Sequence, residues 1–197
     1  MRLPTTAHTS RPWRIHAIAP DFLLEDVWAL PTPGGPDDFG ALVRLMTTAD
    51  LEHTPSRAAR ALWALRWKLG DVLGWDREDA GVGSRVPALR ERLPADLRAK
   101  PGPTFDTLPF NSLYLLEDEF AAETANRTVH AVMHLGWVAA GSGGYRGQMA
   151  VLVKPNGPLG RAYMAAIRPF RRLIVYPAAM THIECEWRER GRAPAPA

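Results

Sequence analysis

The chain has 197 residues, 46% of them apolar and 23% charged, with one cysteine and a formal net charge of +3. These figures exclude wholesale disorder, a disulfide framework and the charge density of a dedicated nucleic-acid binder. They fit a single domain long enough to bury a sizeable core.

The basic residues gather in two modest groups, Arg57, Arg60, Arg66, Lys68 and Arg161, Arg168, Arg171, Arg172. Both groups fall on amphipathic helical patterns and read as solvated faces, so no nucleic-acid partner is expected. The single Cys185 fits a reducing compartment. Residues 1–20 carry no long apolar core and are broken by Pro4, Pro12 and Pro20. No stretch reaches the length of a spanning helix. The expectation is a cytoplasmic protein with no membrane insertion.

Residues 1–12 are polar and predict a flexible N-terminal arm, followed by one domain over 13–190 and a flexible tail at 191–197. A first strand is expected between Trp13 and Leu30, interrupted at Pro20-Asp21. After the turn at 31–36, Asp37 and Asp38 face the start of a helix whose apolar positions Phe39, Leu42, Val43 and Met46 carry it to about Thr48. Ser56 caps a second helix that Gly74 ends, with Trp63 and Trp67 on one side. Residues 76–109 read as a decorated connection with short helical turns at 87–93 and 95–99.

From Phe110 the pattern changes to strands: Leu113–Glu117, Phe120–Thr124, Thr128–Val138 and Tyr145–Lys154. Their short links, among them Gly141 to Gly144, imply an antiparallel meander. On the third of these, Met133, Leu135 and Trp137 share one face and His130, Val132 and His134 the other. One face is mostly apolar and the other mixed, which predicts a sheet covered on one side. Pro158 then opens a long helix whose apolar spacing runs from Leu159 to Ile183. Pro169 and Pro177 lie inside it and should bend or break it. The order of elements indicates an α+β fold. One way to bury all these faces is to wrap a curved sheet around the last helix, leaving a cavity between them.

Several stretches carry a resemblance: Asn126 to His130, His134-Leu-Gly-Trp137, Gly144 to Met149, Val153 to Gly157, Leu159 to Met164, and Ile167-Arg-Pro-Phe170 with Ile174-Val-Tyr-Pro177. Together they resemble a bacterial domain-of-unknown-function family, number 2867. The similarity covers most of the chain. It implies a place in the START-like, helix-grip (SRPBCC) superfamily: a curved antiparallel sheet around a long, proline-kinked C-terminal helix, as in lipid carriers and polyketide cyclases. Relatives also occur fused behind dehydrogenase-like domains, but no Gly-x-Gly-x-x-Gly follows a strand here, so no nicotinamide site and no other cofactor is expected.

His130 and His134 lie four apart on a strand, about 13 Å along it, too far to share one metal ion. They read as surface imidazoles on the outer face of the sheet, and no metal site is expected. Glu117, Asp118, Glu119 and Glu123 read as a solvated hairpin or as partners of arginines; paired carboxylates also suit acid–base work. The acidic neighbours of Cys185 disfavour a thiolate nucleophile. The apolar face with Met133, Trp137, Met149 and Val151 would form one wall of the cavity. The last helix, with Tyr163 and Phe170, would form the other, and Tyr114 and Arg168 would orient a ligand. The first expectation is a hydrophobic small molecule bound there. The alternatives are a cyclase- or dehydratase-type enzyme using His130, His134, Tyr114 and Glu119 in that cavity, and a protein-interaction module on the outer sheet face.

Overall fold

Strict alternation along one long strand organises the molecule. In the computed structural model, residues 1–49, 82–83, 86–141 and 143–191 are described. The helix expected from Ser56 to Gly74, with its basic group and two tryptophans, lies outside the described residues, as does the tail from 192 onward. The strands are β1 (Arg2–Leu3), β2 (Leu23–Ala29), β3 (Asn111–Leu115), β4 (Glu119–Ala125), β5 (Val129–Ala139) and β6 (Tyr145–Pro155). They form one sheet in the order β1-β2-β6-β5-β4-β3, every neighbour antiparallel.

β5 sits between β4 and β6 and sends Val132 and Val138 into one core, Met133, Leu135 and Trp137 into another. The sheet is therefore covered on both faces. The expectation of one covered side fails because two stretches that look peripheral in sequence carry apolar anchors. The first core takes Trp13, Ile15, Ile18 and Phe22 from the N-terminal segment and Leu89, Leu93 and Leu97 from the connection. Residues 13–18 are not strand. Ile15–Ile18 form a helical turn, α2, after the turn α1 at Thr6–Thr9. Residues 1–12, expected as a flexible arm, lie against the sheet: Arg2 and Leu3 pair with Trp28 and Val27, and His8 is fully buried.

The second face packs against α3 (Phe39–Thr48), through Phe39, Leu42, Val43 and Met46, and against the C-terminal helix. Between α3 and β3, beyond the connection's 3-10 turn, Ala95–Arg98 form α4. The C-terminal helix comprises α5 (Gly157–Phe170), a π-helical segment (Arg171–Val175) and α6 (Tyr176–Arg190). Helical geometry persists past both prolines, so neither breaks the run. Pro177 falls in the first turn of α6, directly after the π-helical segment, where the hydrogen-bond pattern changes. The extra residue of the π turn shifts the buried stripe, so that Met164 of α5 and Tyr176, Ile183 and Trp187 of α6 are all buried. Gly160 lets α5 start close to the β4–β5 hairpin, since a Cβ there would lie 2.1 Å from the Thr128 carbonyl oxygen.

Candidate functional site

Antiparallel register brings the acidic residues of β4 under the histidines of β5. Ala121 opposes His134 and Ala125 opposes His130. Glu119 and Glu123 each reach diagonally to the next histidine on the same face. Glu119 Oε1 lies 3.0 Å from His134 Nε2, and Glu123 Oε2 lies 2.7 Å from His130 Nε2. The two rungs repeat the same geometry four residues apart. All four side chains are buried, His134 completely. This overturns the expectation of surface imidazoles, and that of a solvated acidic cluster for Glu119 and Glu123, while Glu117 and Asp118 are exposed at the hairpin. The segments that cover this face seal the four buried side chains in: the Phe22 ring meets His130 edge-on at 4.9 Å, and Trp13 lies 5.2 Å from the His134 ring.

Each carboxylate also receives a helix start from the covering layer. Arg14 N–H donates to Glu119 Oε2 at 2.9 Å and Ile15 N–H to Oε1 at 3.0 Å. Leu89 N–H donates to Glu123 Oε2 at 3.0 Å. A carboxylate at the open N–H groups of a helical turn is stabilising, and here it pins that turn to the sheet.

The Tyr114 hydroxyl donates to Glu119 Oε1 at 2.6 Å. Burial alone would raise the Glu119 carboxyl, but the bonds from His134, Tyr114 and Arg14 outweigh it and hold the acid below its usual range. Glu119 is thus an ionised acceptor, and His134 Nε2 carries a proton. Burial lowers the His134 pKa against the pull of Glu119, so the ring is neutral and its Nδ1 is a lone pair. His8 Nε2 lies 3.1 Å from that Nδ1 and must donate to it. His8 is neutral too, pushed down to about 3 by burial and by His134 and His16. Its Nδ1 is therefore a bare acceptor, and it is buried with no partner.

That orphan has company. Trp13 Nε1, His16 Nε2 and Gln148 Oε1 are also buried and unpartnered among the described residues. The His16 ring meets the His8 ring edge-on at 4.8 Å, and the Trp13 ring lies 6.3 Å from His8. Gln148 Nε2 donates to the carbonyl of Ala7, beside His8. Each unsatisfied buried polar atom costs about 1–3 kcal/mol, so such a concentration calls for a physical partner. Sequence reasoning misses His8, His16 and Trp13 as site residues because their segment reads as arm and strand. The spacing of Trp13, Ile15, Ile18 and Phe22 is the signal that it buries. Among the described residues, no group of three or more His, Cys, Asp or Glu is placed to hold a metal ion.

The residues expected to line one cavity fall on two sides of the sheet. Tyr114 belongs to the first core, with His130, His134 and Glu119. Met133, Trp137 and Met149 belong to the second. A bulge between Ser112 and Tyr114 turns Tyr114 to the first face. The aromatic rings that the helix brings to the second core are Tyr176 and Trp187. Tyr163 and Phe170 are half-buried and lie outside that cluster. Arg168 is exposed and 3.5 Å from Glu25. It belongs to a clamp in which Arg171 and Arg172 hold the buried Asp26 at 2.9 and 2.8 Å. A β2 bulge between Leu24 and Asp26 presents Glu25 and Asp26 to the π turn.

On the second face, the Trp137 and Trp187 indoles donate to the carbonyls of Gly35 and Pro33 at 3.0 and 2.9 Å. The Trp28 indole N–H is buried without a partner, its ring 5.0 Å from Tyr176. Burial pushes the Tyr176 hydroxyl up to about 12, so it stays protonated. No helix among the described residues is long and apolar enough to cross a membrane.

No curated protein and no solved structure matches the chain. A family profile does match, over residues 18–178, which spans the whole sheet from β2 onward, both histidine rungs and the helix as far as Ala178. By that match the chain belongs to the family described as "Protein of unknown function (DUF2867)".

Proposed function

We propose that the protein binds a hydrophobic or aromatic small molecule between the second face of its sheet and the C-terminal helix. In this reading the fold is of helix-grip (START-like) type, and the helix bends at its prolines to follow the sheet. The single observation that carries it is the buried, unpartnered Trp28 indole N–H beside the Tyr176 ring. Around it lie Met133 and Met149, whose unbranched side chains reshape easily. An apolar ligand with one carbonyl or hydroxyl oxygen would satisfy that donor, while apolar area removed from water supplies most of the affinity. The test is a thermal-shift screen with apolar ketones, fatty acids and aromatic alcohols, repeated on Trp28→Phe. A ligand at about 100 times its dissociation constant stabilises by about 2.7 kcal/mol. The reading fails if nothing in the panel shifts the wild-type melting temperature, or if Trp28→Phe binds the best ligand equally well.

A second reading is an acid–base enzyme of cyclase or dehydratase type. It is favoured by the continuous chain from Tyr114 through Glu119 and His134 to His8. That chain lies on the face opposite the C-terminal helix, so its substrate would enter under the N-terminal segment. Conversion of a bound ligand, seen by mass spectrometry in wild type and lost in a folded His134→Gln variant, would select this reading over simple binding.

A further inference from the structure

We propose a second binding site on the first face of the sheet, beneath the N-terminal segment, for a small neutral molecule bearing a primary carboxamide or urea group. Its protein groups are four buried atoms that lack partners: His8 Nδ1, Gln148 Oε1, Trp13 Nε1 and His16 Nε2. Their hydrogen-bonding roles follow from their neighbours. His8 Nδ1 is an acceptor, because the ring proton is committed to His134 through Nε2. Gln148 Oε1 is an acceptor, because the other end of the amide faces the Ala7 carbonyl, which only accepts. Trp13 Nε1–H can only donate, and His16 Nε2 serves either way.

The unmet demand of His8, Gln148 and Trp13 is thus for two hydrogen-bond donors and one acceptor. A carboxamide or urea carries that set: its N–H groups for His8 and Gln148, its carbonyl oxygen for Trp13. A charged guest does not fit. His8, His134 and His16 are arranged so that protonation is disfavoured at His8, and the ionised Glu119 stands behind His134. His16 is only half-buried, so the cluster reaches solvent along its edge, whereas His8, Trp13 and Gln148 are closed off. Gly136 belongs to the same site. A Cβ there would lie 2.6 Å from the Trp13 ring, so the bare backbone of β5, opposite Gln148, is what admits the indole beside His134.

The test uses the full chain, labelled with nitrogen-15, and follows the histidine-ring and indole N–H signals. The probes are acetamide, which offers donors and an acceptor, and N,N-dimethylacetamide, which offers only the acceptor. Guests of this size bind with dissociation constants on the order of millimolar. Acetamide should shift the His8 and Trp13 signals saturably, and N,N-dimethylacetamide should not. Gln148→Met should weaken acetamide by about tenfold, the loss of one hydrogen bond. Equal or non-saturating responses to the two probes would overturn the proposal and leave ordered water only in the site. So would undiminished acetamide binding by Gln148→Met. If a variant does not fold, the contrast between the two probes on wild type still decides. None of these signals comes from the Trp28 side of the sheet, so this site and the proposed apolar one stand or fall separately.

Discussion

His8 Nε2 lies 3.1 Å from His134 Nδ1, joining the N-terminal segment to the middle of β5 across 126 positions of sequence. The contact needs a proton on only one of the two facing nitrogens, and burial, the largest cause for each ring, holds both neutral; this makes folding sensitive to acid. His8 has a folded pKa of about 3 against an ordinary 6.5. A lowered folded value means that the unfolded chain binds the extra proton first. The stability is complete above about pH 6.5 and is lost as pH falls toward the folded value, at up to about 1.4 kcal/mol per unit. His134, lowered chiefly by burial, adds to the loss with the same sign. Guanidinium unfolding should show a drop of at least about 2 kcal/mol between pH 6.5 and 5. His8→Gln should flatten that slope. A wild-type stability that stays level over this interval would mean that His8 is not held neutral.

The two buried glutamates should be far more costly to alter than their exposed neighbour. In Glu119→Gln, one acceptor oxygen becomes an NH2 group facing donors from Ile15, Tyr114 and His134 or from Arg14. At least one buried N–H is then unpaired, and we expect a loss of about 2–4 kcal/mol. Glu123 bonds Leu89 and His130 through one oxygen, which Gln would keep, so here the test is Glu123→Ala: it should cost a similar amount and speed hydrogen exchange at the Leu89 amide. Glu117 is exposed, and Glu117→Gln should change stability by less than about 0.5 kcal/mol. Chemical denaturation of the three variants separates a structural carboxylate from a solvated one.

The contrast among Glu117, Glu119 and Glu123 also marks what is legible in the sequence. Period-two alternation separates His130 and His134 from Met133 and Trp137, and the structure keeps that separation. The short links make the four later strands an antiparallel meander, which they are. Alternation does not say which face is covered, because that depends on chain far away in sequence. The cover here comes from Trp13–Phe22 and Leu89–Leu97, short irregular pieces whose helical turns are four residues long or less, too short for a periodic signal. The diagonal pairing of Glu119 with His134 needs the β4–β5 register, which sequence patterns leave open by whole steps. The π turn is equally hidden. It moves the buried stripe of the last helix to Tyr176 and Trp187, away from the Tyr163 and Phe170 that uniform helical spacing selects.

Two glycine-to-alanine changes in helices should act in opposite directions. Gly40 lies exposed in α3, and a Cβ added there would meet no atom within 4 Å, so Gly40→Ala should stabilise by up to about 1 kcal/mol through helix propensity. Gly160 has the same propensity to gain, but its Cβ would overlap the backbone oxygen of Thr128. Backbone cannot rotate away as a side chain does. Gly160→Ala should therefore lose about 1–3 kcal/mol as the start of α5 lifts from the β4–β5 hairpin. Thermal unfolding of the two variants, measured side by side, checks the sign of each. A stabilised Gly160→Ala protein would show that the helix start is not seated on the hairpin.

Pro169 tests whether the shape of the C-terminal helix serves the proposed ligand site. The helical run from Gly157 to Arg190 would span about 50 Å if straight, longer than the strands it crosses. It is anchored at three places: Gly160 against Thr128, the arginine clamp on Asp26, and the Tyr176–Trp187 stripe on the second core. Pro169 lies between the first two anchors, two residues before the π turn begins at Arg171. A proline inside a regular helix costs about 3 kcal/mol, because it removes one hydrogen bond and crowds the preceding turn. In an unconstrained helix, Pro169→Ala would recover most of that. In the proposed bent helix the recovered bond would favour a straighter path, and straightening would pull against the Asp26 clamp on one side and the hairpin on the other. The net gain should stay below about 2 kcal/mol, while affinity for an apolar fluorophore changes by more than the stability does. Equilibrium unfolding and fluorophore titration on the same preparation give both quantities. A Pro169→Ala protein that gains more than about 2 kcal/mol and binds the fluorophore unchanged would show that the proline does not shape the site.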